Sequence, residues 1–213
     1  MLKVNITTFN IENFRSNNCY LLDLFQHSDI IAIQEHWLYK FEKQDLIDFC
    51  TKAGFRSAIQ CSDEDNPINP TCRPRGKGGV AVIWKNELDQ YVEILAESNN
   101  RIIVTLLHNS VCIISCYLTA RGSGEAENDF NDQLAEINEL IVKYSPSYKV
   151  IIMGILMLHC TDKHMLRETG IWRSYAKGLD YINIEIIGMF PLSTTTTSEM
   201  SHRLTTYSAH KKT

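Results

Sequence analysis

The stretch Asp29-Ile-Ile-Ala-Ile-Gln34, followed by Glu35-His-Trp-Leu38, decides the fold of this 213-residue chain. Its β-branched run is typical of a buried strand, and Glu35 follows at the carboxyl end of that strand. Leu2–Phe9 alternates apolar and polar side chains, which predicts an earlier strand ending at Asn10. A helix predicted at Cys19–Gln26 lies between them. Such a strand–helix–strand unit brings Asn10 and Glu35 to one edge of a parallel sheet.

The rest of the chain predicts further strands, flanked by helices. Helices are expected at Phe41–Lys52, at Glu125–Tyr144, where apolar residues recur every three or four positions, and at Asp162–Ala176. Strands are expected at Phe55–Cys61, Val80–Trp84, Tyr91–Ala96, Ile102–Leu107, Val111–Tyr117 and Lys149–Gly154, with a long loop at Ser62–Gly79. This order favours an α/β fold, a four-layer α/β sandwich of two packed mixed sheets flanked by helices.

Composition limits the class of protein. At 213 residues and 44% hydrophobic, the chain suits a single domain over 1–213, with a poorly defined tail at 191–213. Its net charge of −4 excludes bulk attraction to nucleic acid, so any phosphate binding requires a local patch or a metal ion. The seven cysteines include no Cys-x-x-Cys pair, and no secretion signal or membrane-spanning apolar run is visible. We therefore expect an intracellular protein, nuclear or cytoplasmic, without membrane contact.

Four short segments resemble the metal-dependent endonuclease/exonuclease/phosphatase family. They are Thr8-Phe-Asn-Ile11, Ile33-Gln-Glu-His-Trp37, the basic glycine-rich turn Arg73-Pro-Arg-Gly-Lys-Gly-Gly79 with the strand after it, and Ile113-Ile-Ser-Cys-Tyr117. The second and third are similar to the endonuclease domain of LINE-type retrotransposon polyproteins. The resemblance implies a DNA substrate, Mg²⁺ or Mn²⁺ held by Glu35, and catalytic roles for Asn10, Glu35 and Tyr117. A lone carboxylate at a strand end suits Mg²⁺, which takes one or two carboxylates plus waters.

Basic residues in two loops are candidates for substrate binding. Arg75 and Lys77 lie on the glycine-rich turn and could touch a phosphate backbone, and Arg121 follows Tyr117 by four residues. The alternative for the basic turn is ordinary solvation of a surface loop. For Tyr117 the alternative is a strand-end aromatic that packs on the core, and for Asn10 it is a turn-forming residue.

The resemblance fails at the end of the strand Lys149–Gly154. The family has Asp and Asn where this chain has Ile155 and Met157. Those polar residues orient the attacking water and stabilise the transition state, which apolar side chains cannot do. The family's terminal Ser-Asp-His segment is also missing, because Met200-Ser-His-Arg203 lacks the Asp. We expect a chain truncated before that segment, without the last strands, in which Gly178-Leu-Asp180 leads only into the next strand.

These observations predict a degenerate retroelement-type Mg²⁺-dependent phosphodiesterase, a DNA endonuclease domain with little or no activity. An alternative is a non-catalytic nucleic-acid or protein interaction domain on the same fold. A different phosphoesterase of the superfamily is also open, since one scaffold hosts many substrates. A third possibility is a fragment without a selected role, which exposed sheet edges would make prone to aggregation. The sequence leaves the oligomeric state open.

Overall fold

The computed structural model describes residues 3–72, 74–108, 110–118, 125–155, 181–187 and 205–206. Three helices lie in these ranges: α1 (Phe14–His27), α2 (Lys43–Lys52) and α3 (Glu125–Tyr144). The strands are β1 (Lys3–Asn10), β2 (Ile30–Gln34), β3 (Phe55–Gln60), β4 (Val80–Lys85), β5 (Val92–Ile94), β6 (Ile102–Leu107), β7 (Val111–Tyr117), β8 (Lys149–Ile155), β9 (Tyr181–Ile187) and β10 (Thr205–Thr206). No helix in the described ranges is both long enough and apolar enough to cross a membrane.

The strands form two mixed sheets. The first has the order β10-β9-β1-β2-β4-β3 and the second the order β5-β6-β7-β8. β1 and β2 are parallel, as are β7 and β8, whereas β4 runs antiparallel to β2. The carboxyl ends of β1 and β2 therefore lie beside the start of β4, which places the Gly78-Gly79 turn at the same edge.

Three apolar clusters define the layers. One lies between the sheets and joins Ile6 and Val82 to Ile113 and Met153. A second packs the outer face of the first sheet against α1 and α2. The third packs β6 and β7 against α3 through side chains such as Phe130. The order helix–sheet–sheet–helix confirms the four-layer sandwich predicted from the sequence.

Several predicted boundaries are wrong. Helix α2 begins at Lys43 rather than Phe41, because a 3₁₀ helix occupies Lys40–Glu42. Helix α1 begins at Phe14, five residues before the predicted Cys19, because the side chain of Asn13 accepts a hydrogen bond from the Arg15 amide and caps the helix. The strand expected at Tyr91–Ala96 is reduced to β5, because a 3₁₀ helix occupies Asn86–Tyr91. Within that 3₁₀ helix, the Asp89 carboxylate accepts a 3.1 Å hydrogen bond from the Trp84 indole.

Several sequence predictions lie outside the described residues. These are the helix at 162–176, the substrate contact Arg121, the position of Met157, and most of the tail at 191–213. The strand expected after Gly178 is present as β9, which pairs antiparallel with β1 from Lys3↔Ile187 to Phe9↔Tyr181. β1 is therefore an interior strand of its sheet, with a neighbour on each side.

Candidate functional site

Asn10 and Glu35 meet at the edge of the first sheet, as the strand–helix–strand unit predicts. Asn10 is paired with Gln34 at the last position of the parallel β1–β2 ladder. Its side-chain amide donates a 2.8 Å hydrogen bond to Glu35 Oε1, while its Oδ1 accepts one from the Glu12 amide. The Asn10 side chain is thereby fixed with its nitrogen towards the carboxylate.

Glu35 lies on a turn with unusual backbone geometry. Both Glu35 and Trp37 adopt left-handed conformations, with φ of 57° and 58°, a region that residues other than glycine seldom occupy. The amides of these two residues donate to the carbonyls of Gly79 and Gly78, at 2.9 and 3.0 Å. The turn also brings the Trp37 indole Nε1 to 3.2 Å from Glu35 Oε2. Each carboxylate oxygen therefore accepts one hydrogen bond from a fixed neutral donor.

The buried ring of His36 holds this turn against the neighbouring strands. Its Nδ1 accepts a hydrogen bond from the Leu38 amide, so the proton lies on Nε2, which donates to the Gln60 carbonyl at 3.0 Å. Burial lowers the pKa of His36 to about 4, so the ring is neutral at physiological pH. Gly79 packs directly on the ring: with φ of 84°, a Cβ there would lie 2.3 Å from a ring carbon. No role was predicted for His36, although it follows Glu35 directly.

Tyr117 faces a small basic cleft beside this turn. The cleft has a volume of about 190 Å³ and is lined by Ser62, Lys77, Gly78, Gly79, Asn100, Arg101 and Tyr117. Burial is the main cause of a raised pKa at Tyr117, the Glu35 charge adds to it and Arg101 opposes it, so the phenol stays protonated at neutral pH. The Tyr117 hydroxyl therefore lies within electrostatic range of both Glu35 and Arg101.

The predicted substrate residues Arg75 and Lys77 point to different places. Lys77 lines the cleft beside Tyr117. The guanidinium of Arg75 instead lies over the Trp37 ring, 5.0 Å from its centroid, a cation–π geometry. The backbone carbonyl of Arg75 accepts a 3.0 Å hydrogen bond from the Tyr39 hydroxyl. The second cation of the cleft is Arg101, which the sequence did not single out.

A clamp to α3 holds the loop that carries Arg101. Asn99 Oδ1 accepts hydrogen bonds from the amides of Arg101 and Ile102, both at 2.9 Å, and its Nδ2 donates to Glu136 on α3 at 2.6 Å. Glu97 accepts hydrogen bonds from Lys143 and from the Tyr144 hydroxyl. The Lys143 hydrogen bond, followed by that of Tyr144, lowers the pKa of Glu97 to about 2. Loop and helix are thereby fixed together, and with them the position of Arg101.

Ile155 lies at the carboxyl end of β8, a strand of the second sheet. It is the last residue of β8 and is paired with Tyr117 across the parallel β7–β8 ladder. The two strands approach closely there, since a Cβ on Gly154 would lie 1.8 Å from the Cys116 carbonyl oxygen. An apolar residue thus occupies the end of β8, next to the end of the strand that carries Tyr117.

A divalent metal ion is compatible with the Glu35 side of this site. Glu35 is half-buried, and each of its carboxylate oxygens accepts only one hydrogen bond in the part of the chain that the structure describes. Mg²⁺ is often held by one or two carboxylates plus waters, so Glu35 could serve as its protein ligand. Over the same described residues, no three His, Cys, Asp or Glu side chains cluster as a multidentate metal site.

Comparison with known proteins gives a family and a fold. A family model described as the endonuclease/exonuclease/phosphatase family matches residues 7–154, more than half of the chain. That family generally depends on divalent metal ions. No curated protein matches the sequence.

Among solved structures, the fold resembles a 3′ phosphatase, NExo from Neisseria bound to a product DNA hairpin, with 16% identity and a TM-score of 0.55. That match covers 78% of this chain and 63% of the other. An AP endonuclease from Leishmania major matches with 13% identity and a TM-score of 0.53, over 71% of this chain and 54% of the other. The chain thus spans between half and two-thirds of the length of these two structures.

Proposed function

Because the chain belongs to the endonuclease/exonuclease/phosphatase family, we propose that it is a retroelement-type, DNA-binding phosphodiesterase domain in which hydrolysis is lost or strongly impaired. One observation carries the proposal. Asn10 and Glu35 are joined by a hydrogen bond at the site edge, whereas the neighbouring strand end carries Ile155. Half of a phosphodiesterase site is built, and the half that would activate water is apolar.

The cleft supplies the features that phosphate binding requires. Lys77 and Arg101 place two positive charges beside the protonated phenol of Tyr117, in a chain whose net charge is −4. The attraction is therefore local and depends on these side chains rather than on bulk charge. A phosphate oxygen in the cleft would accept a hydrogen bond from the Tyr117 hydroxyl and from the two cations.

The Glu35 side supports metal-assisted stabilisation of charge. When bound, a divalent ion supplies electrostatic stabilisation of a phosphate and its leaving oxygen. Asn10 and Trp37 fix both oxygens of Glu35, so the carboxylate keeps its orientation without rearrangement. This side chain arrangement is the part of the family chemistry that remains in the chain.

Water activation has no group at the Ile155 position. General-base catalysis contributes roughly 10²–10⁴-fold to the rate. Electrostatic stabilisation of the transition state contributes roughly 10²–10³-fold. The side chain of isoleucine neither accepts a proton nor donates a hydrogen bond, and Met157 occupies the second position where the family resemblance expects a polar residue. Binding without efficient turnover follows from this combination.

The retroelement branch and the DNA substrate belong to the proposal too. They are supported by Gln34-Glu35-His36-Trp37 and by the turn Gly76-Lys-Gly-Gly79 that leads into β4. In the structure these two segments hydrogen-bond to each other, through the amides of Glu35 and Trp37. The two motifs that carry the resemblance thus form one structural unit around the site.

The test is nicking of supercoiled plasmid with and without Mg²⁺, using the natural chain, an Ile155→Asp/Met157→Asn variant, and each of these two proteins with Glu35→Ala. We expect no cleavage by the natural chain and weak, Glu35-dependent cleavage by the double variant. Cleavage by the natural chain that Glu35→Ala abolishes would overturn the assignment of a lost activity.

Binding is measured separately, as DNA affinity against salt concentration in EDTA. We expect Lys77→Ala and Arg101→Ala each to weaken binding and to reduce the salt dependence. Lys52→Ala is the matched control, because Lys52 lies at the end of α2, near the start of β3 and remote from the site edge. Equal losses at Lys52 and at the two cleft residues would contradict a local phosphate site.

A further inference from the structure

A row of aromatic side chains extends from Glu35 along the surface, and we name Trp37, Tyr39, Phe41 and the stacked Arg75 the aromatic ledge. Its members are joined by successive contacts. The Trp37 indole donates to Glu35 and carries the Arg75 guanidinium over its ring. Tyr39 donates to the Arg75 carbonyl, and its ring lies nearly parallel to that of Phe41, at 12° with centroids 6.1 Å apart. The ledge is continuous with the Glu35 turn.

Phe41 is the outer end of the ledge and is open to solvent. Its side chain is 42% exposed, whereas Tyr39 beside it is 3% exposed. The Phe41 ring therefore packs beside the buried, nearly parallel Tyr39 ring while part of Phe41 stays open to solvent. An exposed aromatic ring held in place next to a cationic loop is the arrangement that single-stranded nucleic-acid sites use.

Exposed cations adjoin the ledge. Arg75 and Lys77 are both exposed on the adjoining turn. Some nearby acidic side chains have cationic partners: Arg15 pairs with both Glu42 and Asp45, at 3.1 and 2.5 Å, and Lys43 pairs with Glu64 at 2.9 Å. Asp63 accepts hydrogen bonds from the amides of Lys40 and Ile68. Glu35, Asp63 and Asp65 have no salt bridge among the described residues, so attraction for a polyanion depends on the exposed cations Arg75 and Lys77 of the turn.

We infer that the aromatic ledge binds an unpaired nucleobase of a single strand whose backbone phosphate lies in the Lys77–Arg101 cleft. The inference rests on the proposed function, which supplies the phosphate contact, and adds a preference for single-stranded over paired nucleic acid. Only an unpaired base offers its face to Phe41, since the bases of a duplex stack on one another. Stacking accepts every base, so the ledge gives little sequence preference.

The experiment separates base stacking from phosphate binding. Affinity is measured by fluorescence anisotropy in EDTA for three ligands: an oligothymidylate, an abasic chain with the same number of phosphates, and a duplex of the same length. One stacked base should make the oligothymidylate bind roughly 5–150-fold more tightly than the abasic chain. We expect Phe41→Ala and Phe41→Leu to remove that difference and Phe41→Trp to keep it.

Leu22→Ala is the matched control, because Leu22 is an exposed apolar side chain on α1 with 51% exposure. It should leave all three affinities unchanged. Equal binding of the oligothymidylate and the abasic chain by the natural protein would overturn the ledge and leave phosphate binding intact. A base-dependent difference that survives Phe41→Ala, or a duplex that binds as tightly as the single strand, would also overturn it. Failure of every ligand to bind would overturn the proposed function as well.

Discussion

Replacement of Gly79 by alanine tests how tightly the Glu35 turn is packed. Gly79 has φ of 84°, and a Cβ would meet the His36 ring at 2.3 and 2.4 Å. The ring cannot easily withdraw, because it is buried and hydrogen-bonded at both nitrogens, to Leu38 and Gln60. The left-handed backbone alone costs an alanine about 1–2 kcal/mol, and overpacking of a buried site adds about 1–3 kcal/mol.

Gly54 is the matched control, since it has nearly the same backbone but open space. Its φ is 83°, and no atom lies within 4 Å of a Cβ built there. Gly54→Ala should therefore show the conformational cost alone, and Gly79→Ala should destabilise the domain by about 1–3 kcal/mol more. Urea denaturation measures both, and each kcal/mol corresponds to about 2–4 °C in melting temperature for a domain of this size.

A double-mutant cycle identifies the cause. In a His36→Ala background, Gly79→Ala should cost no more than Gly54→Ala, because the ring that opposes the new methyl group is gone. Equal losses for the two glycines in the natural background would refute the packing argument. A loss at Gly79 that His36→Ala leaves unchanged would refute it too.

Three further outcomes are expected. Trp37→Phe keeps a ring under Arg75 but removes the hydrogen-bond donor to Glu35 Oε2. Because hydrogen bonds to charged groups contribute about 1.5–3 kcal/mol, we expect a loss of stability of that size in urea denaturation at pH 7. An unchanged stability would show that solvent replaces the indole. Glu97→Gln should remove part of the pH dependence of stability. The lowered pKa of Glu97 makes its contribution to stability complete above pH 4.5 and lost as the pH falls towards about 2. If the melting temperatures of the natural chain and the variant changed equally with pH across that window, the prediction would be wrong. Ser115→Ala should leave the free energy of unfolding unchanged or raise it by up to about 1 kcal/mol, because the buried Ser115 hydroxyl has no hydrogen-bond partner in the described residues. Ser28→Ala, in contrast, breaks a 2.7 Å hydrogen bond to Thr7 and should lower the free energy of unfolding.

The meeting of Asn10 and Glu35 was predictable from the sequence because it depends on short-range rules. A buried strand ending in Glu35 and an alternating strand ending in Asn10 suffice to bring these residues together, and they lie 2.8 Å apart at their nearest polar atoms. The start of α1 was missed because Phe14 is followed by four polar residues, Arg15 to Asn18, which show no apolar periodicity. A cap residue is a weak signal when the turn after it carries no pattern.

The cation Arg101 was missed because its position depends on strand register. It lies just before β6, and the Ile102↔Cys116 pair places it beside Tyr117, whose amide donates to the Arg101 carbonyl at 2.9 Å. Both strands were predicted with the correct bounds, so pairing them as a hairpin would have found it. The fit of Gly79 on the His36 ring has no such signal, since it joins two loops through side-chain shape alone.

The Asn10–Glu35–Trp37 contacts lie entirely within the first sheet and the turn that follows β2, and none of them involves β8. The Glu35 turn and the end of β8 are therefore supported separately. A substitution at the end of β8 would leave intact the hydrogen bonds that orient the Glu35 carboxylate. The residue at the end of β8 and the stability of the fold around Glu35 can therefore vary independently, so a stably folded domain need not be an active one.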